Sequence, residues 1–143
     1  METTSQSFTY LRTKLHEWKA NDLLLPAPER SWERFQIVAT NVILPILHEA
    51  KEALEGACLE VSVTDVDEDT RCLGFYVSDV GLFFAPGEDA MTVHFMARRF
   101  TAEAQGYESR FLFSRAKSEP IRRLVEEALL RLLGPRRANA VHQ

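Results

Sequence analysis

The densest group of side chains able to bind a cation is the acidic run Asp65-Val66-Asp67-Glu68-Asp69. Its alternating aspartates match the start of a calcium-binding loop of the helix-loop-helix type. Such a loop also needs glycine at its sixth position and a bidentate glutamate at its twelfth. This sequence has Thr70 and Tyr76 there, so the run predicts a solvated hairpin turn and no metal site.

Zinc requires three or four converging histidine, cysteine or carboxylate ligands. The four histidines fall on different predicted elements and form no paired motif; they are His16, His48, His94 and His142. The two cysteines, Cys58 and Cys72, lie in separate predicted strands, where the expected pairing of Cys72 with Thr64 places them too far apart for a disulfide. The sequence therefore predicts two reduced thiols, no metal and no cofactor.

Catalytic motifs are missing from the sequence. It has no Gly-x-Ser-x-Gly motif and no glycine-rich phosphate loop between a strand and a helix. No carboxylate is placed by sequence opposite a second one in an apolar pocket, as acid-base catalysis requires. We therefore assign no catalytic residue, and the sequence favours a non-catalytic protein over an enzyme.

The most varied polar surface is one face of a predicted sheet. Strand alternation places Tyr76, His94, Arg98 and Arg110 on the face opposite the apolar side chains. An aromatic ring, an imidazole and two guanidinium groups are suited to binding a small molecule, so these four are the candidate ligand-binding residues. The alternatives are a solvated face or one covered by the N-terminal helix.

Three helices are predicted outside the sheet. The first, from Phe8 to Lys19, has a narrow apolar stripe typical of a peripheral helix or one that docks onto a second chain. A proline-containing extended tether follows it. The second helix runs from a Ser31 N-cap to Gly56, with Pro45 expected to kink it without dividing it. The third begins at a Ser118 cap and ends at Gly134.

Two apolar residues break the pattern of the second helix. Ile37 and Leu44 project onto its polar side, among charged and amide side chains. They are either isolated surface residues, which are common, or part of a contact with a partner. We name both as candidate interface residues.

Between Cys58 and Ser114 the apolar residues alternate with polar ones, which indicates strands. Their short connections require antiparallel pairing. We predict an α+β fold with N-terminal helices, a five-stranded antiparallel meander and a C-terminal helix, the second and third helices covering one sheet face. The 143 residues form a single domain, with a peripheral helix and tether (1–30), a core (31–134) and a frayed tail (135–143).

Charge is divided unevenly along the chain. Residues 1–90 carry 7 basic and 16 acidic residues, whereas residues 91–143 carry 10 basic and 5 acidic. The two halves either neutralise each other within the fold or mark an anion-binding face or a head-to-tail contact between copies. Nucleic-acid binding through the basic half is disfavoured, because alternation places Phe111 and Phe113 in the core and Arg110 outside it.

The longest apolar stretch, Val42 to Leu47, is too short to span a membrane. With no secretory signal in the sequence, we expect a cytoplasmic protein. The order helix, meander, helix is similar in layout to small acidic chaperones that bind secretion substrates as dimers, but this chain lacks the helix that they place between strands. Our leading hypothesis is a protein-interaction module that self-associates as a homo-oligomer; small-molecule binding or enzymatic activity at the outer sheet face is the second, and nucleic-acid binding the third.

Overall fold

The computed structural model describes residues 7–101 and 106–135. Over these ranges the chain has the predicted α+β architecture. In chain order the elements are α1 (Thr9–Ala20), α2 (Ala27–Val38), a π-helical turn (Ala39–Ile43), α3 (Leu44–Gly56), β1 (Val61–Asp67), β2 (Cys72–Val77), β3 (Val80–Pro86), β4 (Thr92–Arg99), β5 (Gly106–Leu112), a 3₁₀ turn (Phe113–Arg115) and α4 (Ser118–Leu133). Residues 136–143 of the predicted tail and residues 102–105 between β4 and β5 lie outside the described residues.

The five strands form the predicted meander, in the order β1-β2-β3-β4-β5, with β1 and β5 at the two edges. Every neighbouring pair is antiparallel. Alternation buries one face completely at Phe75, Leu82, Phe84 and Phe95, because successive side chains of a strand point to opposite sides of the sheet. This inner face is the floor of the hydrophobic core.

The register of the first hairpin differs from the prediction. Thr64 pairs with Gly74, and Asp67 pairs with Cys72, with an irregularity between the two pairs. The expected pairing of Thr64 with Cys72 is wrong because the turn lies at residues 68–71 and not at 67–69, which places Cys72 opposite Asp67. The irregularity shifts the register by one residue, so that Thr64 pairs with Gly74. Both cysteines are free, Cys58 exposed and Cys72 half-buried.

The predicted second helix corresponds to α2, the π-helical turn and α3 together (residues 27–56), which we call the long helix. It begins earlier than expected. Pro26 is the N-cap and Pro28 lies in the first turn, so the helix starts at Ala27 and not at Ser31. Proline is tolerated there because the first-turn N–H groups have no partner within the helix. Ser31 is instead buried, and its hydroxyl donates a hydrogen bond to the backbone carbonyl of Gly87 in the turn between β3 and β4.

Pro45 does not divide the long helix, as predicted. The turn Ala39–Ile43 widens to π-helical geometry, in which the Leu44 N–H donates to the Ala39 carbonyl five residues back. A π turn lets a helix continue next to a residue that has no N–H group. The backbone stays helical from α2 into α3, and Phe35, Ala39, Ile43 and Leu47 form one fully buried line against the sheet.

Helix α4 packs on the same sheet face as the long helix. Its buried residues include Ile121, Val125, Ala128 and Leu132, which join the core cluster of α2, α3 and the strands. The N-cap position is Lys117 without a side-chain cap, so the predicted capping role of Ser118 is wrong. None of the helices in the described ranges is long and apolar enough to cross a membrane.

The Ser31 hydroxyl gives a test of how the long helix is fixed on the sheet. Ser31→Ala leaves the Gly87 carbonyl without this donor, and we expect a loss of about 1–2 kcal/mol in the free energy of unfolding, measured by urea denaturation. Ser118→Ala is the matched control, since Ser118 is exposed at the start of α4, and it should change stability by less than about 0.5 kcal/mol. Equal effects of the two variants would contradict a fixing role for Ser31.

Candidate functional site

The four predicted ligand-binding residues share the outer face of the sheet but do not converge. Tyr76 and Arg98 both pair with Gly81, on β3, so they are two strands apart, about 10 Å. His94 pairs with Arg110, and it lies four residues, about 13 Å, along β4 from Arg98. The face therefore carries these groups at separate points and not around one centre.

His94 has an acidic neighbour on the adjacent strand. Its Nε2 atom lies 2.6 Å from Oε1 of Glu108, which is diagonal to it because Glu108 pairs with Met96. Cross-strand diagonal neighbours are within reach of long side chains. The pair is a polar contact on an open sheet surface.

Three aromatic rings form the apolar part of the outer face. Tyr76 and Phe83 meet edge to face with centroids 5.5 Å apart, and Phe100 lies 6.5 Å from Tyr76 and 6.3 Å from Phe83. These separations are typical of favourable ring pairs. We call Tyr76, Phe83 and Phe100 the aromatic cluster; Phe100 is 53% exposed within it.

Two glycines make room for the aromatic cluster. Across β2 and β3, Gly74 pairs with Phe83 and Tyr76 pairs with Gly81, so each glycine faces a ring. A Cβ atom on Gly81 would lie 2.9 Å from the Phe100 ring, and one on Gly74 would lie 2.9 Å from the Tyr76 hydroxyl. The rings cover backbone that has no side chain of its own, a known way of protecting glycine in strands.

Asp79, in the turn between β2 and β3, holds the segment that carries Phe100. Its backbone carbonyl accepts a 2.7 Å hydrogen bond from the Phe100 N–H. Its carboxylate accepts hydrogen bonds from the Thr101 hydroxyl and from Nε of Arg99, the latter at 3.1 Å. The hydrogen bond from Thr101, with the contribution of Arg99, lowers the pKa of Asp79 below its usual value.

Sequence reasoning missed Phe83 and Phe100 as outer-face residues. The available signal was the repeated Gly-x-aromatic pattern, Gly74 to Tyr76 in β2 and Gly81 to Phe83 in β3. Each ring lies over the glycine two residues before it on its own strand, Tyr76 over Gly74 and Phe83 over Gly81. Phe100 lies beyond the end of β4, where strand alternation no longer predicts a side.

The predicted interface residues have different surroundings. Ile37 on α2 is 63% exposed, whereas Leu44 at the start of α3 is half-buried and packs against the core. The π turn lies between them and rotates α3 relative to α2, because its wider geometry changes the phase of the helix. Ile37 thus presents the larger apolar surface of the two.

A more extensive apolar surface lies on α1. Phe8, Leu11, Leu15 and Trp18 follow the 3-4-3 spacing of a helix-docking stripe, and we call them the α1 stripe. All four are exposed, and α1 has no buried residue. The helix does not cover the outer sheet face, which was one of the alternatives for that face.

Phe111 and Phe113 do not join the basic residues of the C-terminal half in an exposed surface. Phe113 is buried and Phe111 packs against the core, in line with strand alternation. Arg99 pairs with Asp79, and Arg122 pairs with Glu49 on α3. Across residues 7–101 and 106–135, no group of three or more histidine, cysteine or acidic side chains is arranged to hold a metal ion.

The Asp79 contacts give a pH-dependent prediction. Because the folded-state pKa is lowered, these contacts stabilise the fold above the ordinary aspartate pKa of 3.8 and are lost as the pH falls through the lower folded value. In an NMR titration the Phe100 amide resonance should therefore shift with a midpoint below 3.8. The shift should vanish in Asp79→Asn, and a midpoint at or above the ordinary value in the wild type would contradict the assignment.

In comparisons with known proteins, no family model matches the chain, and no curated protein or solved structure is significantly similar to it. Functional inference therefore depends on the exposed surfaces described above. Two of them combine large apolar side chains with exposure, the α1 stripe and the aromatic cluster.

Proposed function

We propose that this protein is a self-associating interaction module whose contact surface includes the α1 stripe. The observation that carries the proposal is an amphipathic helix with its apolar side facing water, since none of its residues is buried. Burying a large apolar side chain is worth about 1.5–3 kcal/mol. A helix with three such side chains on one side and Phe8 at its N-cap gains stability by docking onto a protein surface.

The length of α1 supports the same conclusion. It has 12 residues, and helices of this length are marginal in water unless their apolar side is packed. The apolar surface continues beyond its end, where Leu23, Leu24 and Leu25 are also exposed. Contiguous exposed apolar surface of this kind is typical of protein contact sites.

Composition favours another copy of the chain as the partner. Most soluble oligomers are symmetric assemblies of identical subunits, and this chain supplies oppositely charged halves that attract each other between copies. Exposed Ile37 is a further candidate for the same association, as the sequence predicted.

The proposal predicts an association that depends on the α1 stripe. Sedimentation velocity across a concentration series should show reversible formation of dimers or larger oligomers. Leu15→Asp places a carboxylate in the stripe and should weaken association at least ~10-fold, about 1.4 kcal/mol, because a charge would be buried in the contact.

The matched control is Thr13→Asp, which adds the same group to the opposite side of α1, where Thr13 is exposed. It should leave association unchanged. A wild-type protein that stays monomeric at every concentration, or equal effects of the two variants, would overturn the proposal.

A second candidate function, small-molecule binding at the outer sheet face, is supported by the aromatic cluster. Arg98 pairs with Gly81, the residue beneath the Phe100 ring. Exposed rings next to a guanidinium group suit a ligand that combines an apolar ring with an anionic group. His94 and Arg110 lie farther along the face and would contact only a larger ligand.

The dye 8-anilinonaphthalene-1-sulfonate has this chemistry and serves as the probe. Its fluorescence with the protein should fall at least about 3-fold in Phe100→Ala and in Arg98→Ala, because stacking and charge contribute separately. Leu15→Asp is the control for dye that binds at α1. It should leave unchanged the part of the fluorescence that depends on Phe100. Unchanged fluorescence in both outer-face variants would exclude this candidate.

A further inference from the structure

The groove between α3 and α4 is an apolar surface whose position and charge suit it to the α1 stripe. Its base is formed by the buried residues Ile46, Val125 and Leu129. Its walls are only partly covered: Leu54 is half-buried, and Leu130 is 68% exposed. We call this surface the α3–α4 groove.

From these features we infer that α1 of one copy occupies the α3–α4 groove of a second copy, and that the two copies exchange α1 reciprocally. The inference rests on the self-association proposed above and adds which two surfaces meet. Three observations carry it: the shape of the groove, the charge around it and the reach of the chain.

The shapes of the two surfaces are complementary. Two alanines, Ala50 and Ala53, line the α3 side of the groove, and small residues let a second helix approach closely. The α1 stripe provides large side chains from Leu11 to Trp18 over about 10 Å of helix, with Phe8 at the N-cap. The groove residues of α3, from Ile46 to Leu54, cover about 12 Å, so the lengths match.

The charges around the groove favour α1 over other apolar surfaces of the chain. Helix α1 carries three basic residues and one acidic residue, whereas α3 carries three glutamates and one lysine. At the groove itself, Glu49 pairs with Arg122, and the exposed carboxylate of Glu126 adds a negative charge at the rim. Opposite charges around an apolar contact favour the correct partner.

The charge and the length of α1 also argue against other surfaces as the contact for the α1 stripe. Pairing α1 with α1 of another copy would bring two basic helices together, at a length too short for a stable coiled coil. The outer sheet face has no rim of one sign, since the exposed Arg98 and Arg110 share it with the exposed Glu108. The α3–α4 groove combines an apolar base with a rim of two glutamates, Glu49 and Glu126, and one arginine, Arg122.

The reach of the chain favours the groove of a second copy over that of the same copy for the C-terminal half of the stripe, Leu15 and Trp18. The N–H groups of Asn21, Asp22 and Leu23 donate to carbonyls in the last turn of α1, which leaves four Cα steps, about 14 Å, to Ala27. Ile46, at the near end of the groove, lies 19 residues along the helix, about 28 Å away. Leu15, about 12 Å back from Leu23, therefore reaches only about 26 Å.

A second copy removes this restriction and doubles the contact. In a two-fold arrangement, each α1 meets the groove of the other chain, so the same contact occurs twice. Stable interfaces bury about 1,200–2,000 Å² in total, which a single short helix in a groove does not provide by itself. Reciprocal exchange uses both apolar surfaces of both copies.

The test compares the full-length wild type with variants of the groove. Ala53→Asp introduces a carboxylate into the groove, and His48→Asp introduces one on the opposite side of α3, where His48 is exposed. In sedimentation velocity, Ala53→Asp should weaken association at least ~10-fold, as Leu15→Asp does, and His48→Asp should not.

Disulfide cross-linking identifies the two surfaces directly. In a background with serine at both Cys58 and Cys72, a protein with Leu15→Cys is mixed with one with Ala53→Cys. The mixture should form a cross-linked dimer under mild oxidation, because the two Cα atoms come within disulfide range only if α1 lies in the groove. Each variant alone should cross-link far less.

The outcomes separate the two proposals. A monomeric wild type would overturn self-association and, with it, the exchange. If the wild type associates and Leu15→Asp disrupts it, but Ala53→Asp does not and Leu15→Cys cross-links to itself, then α1 pairs with α1 and only the groove assignment is wrong. Cross-linking confined to the mixture, together with disruption by Ala53→Asp, supports the exchange.

Discussion

The structure depends on one line of contact, the fully buried residues Phe35, Ala39, Ile43 and Leu47 along the inner face of the sheet. These residues are spaced by four, and the π turn at Ala39–Ile43 keeps them in contact past Pro45. A regular helix would have to break there or leave carbonyl groups unpaired. With this line of contact in place, the long helix and α4 cover one face of the sheet. The exposed surfaces of the fold are those that these two helices do not cover.

That division explains the character of the two sheet faces. The inner face has aliphatic and aromatic side chains that need a cover, and the two helices provide it. The outer face has no helix over it among the described residues, and it protects its two glycines with its own rings. Asp79 fixes the last of these rings through the backbone of Phe100 and the side chains of Arg99 and Thr101. The turn between β2 and β3 thus determines the shape of an apolar surface two strands wide.

Most of the architecture could be predicted from alternation and helical periodicity, because the buried positions of β2, β4 and α4 follow these patterns closely. The errors arose at residues whose types are compatible with two different local backbone structures. Pro26 and Pro28 fit an extended tether as well as a helix start. The acidic run fits a turn at 67–69 as well as the observed turn at 68–71, and this difference changes the partner of Cys72. The candidate site was predicted less well, since alternation gives the side of a residue but not its neighbours: Tyr76 and His94 share a face without sharing a centre.

The two edges of the sheet are constructed differently from its apolar interior. Edge strand β1 has an irregular register before Asp67 and exposed carboxylates, and edge strand β5 alternates exposed charged residues at Glu108 and Arg110 with partly buried ones. Bulges and charges on edge strands oppose the addition of a further strand from another molecule. These features protect the open meander against growth into continuous intermolecular sheets of the amyloid type.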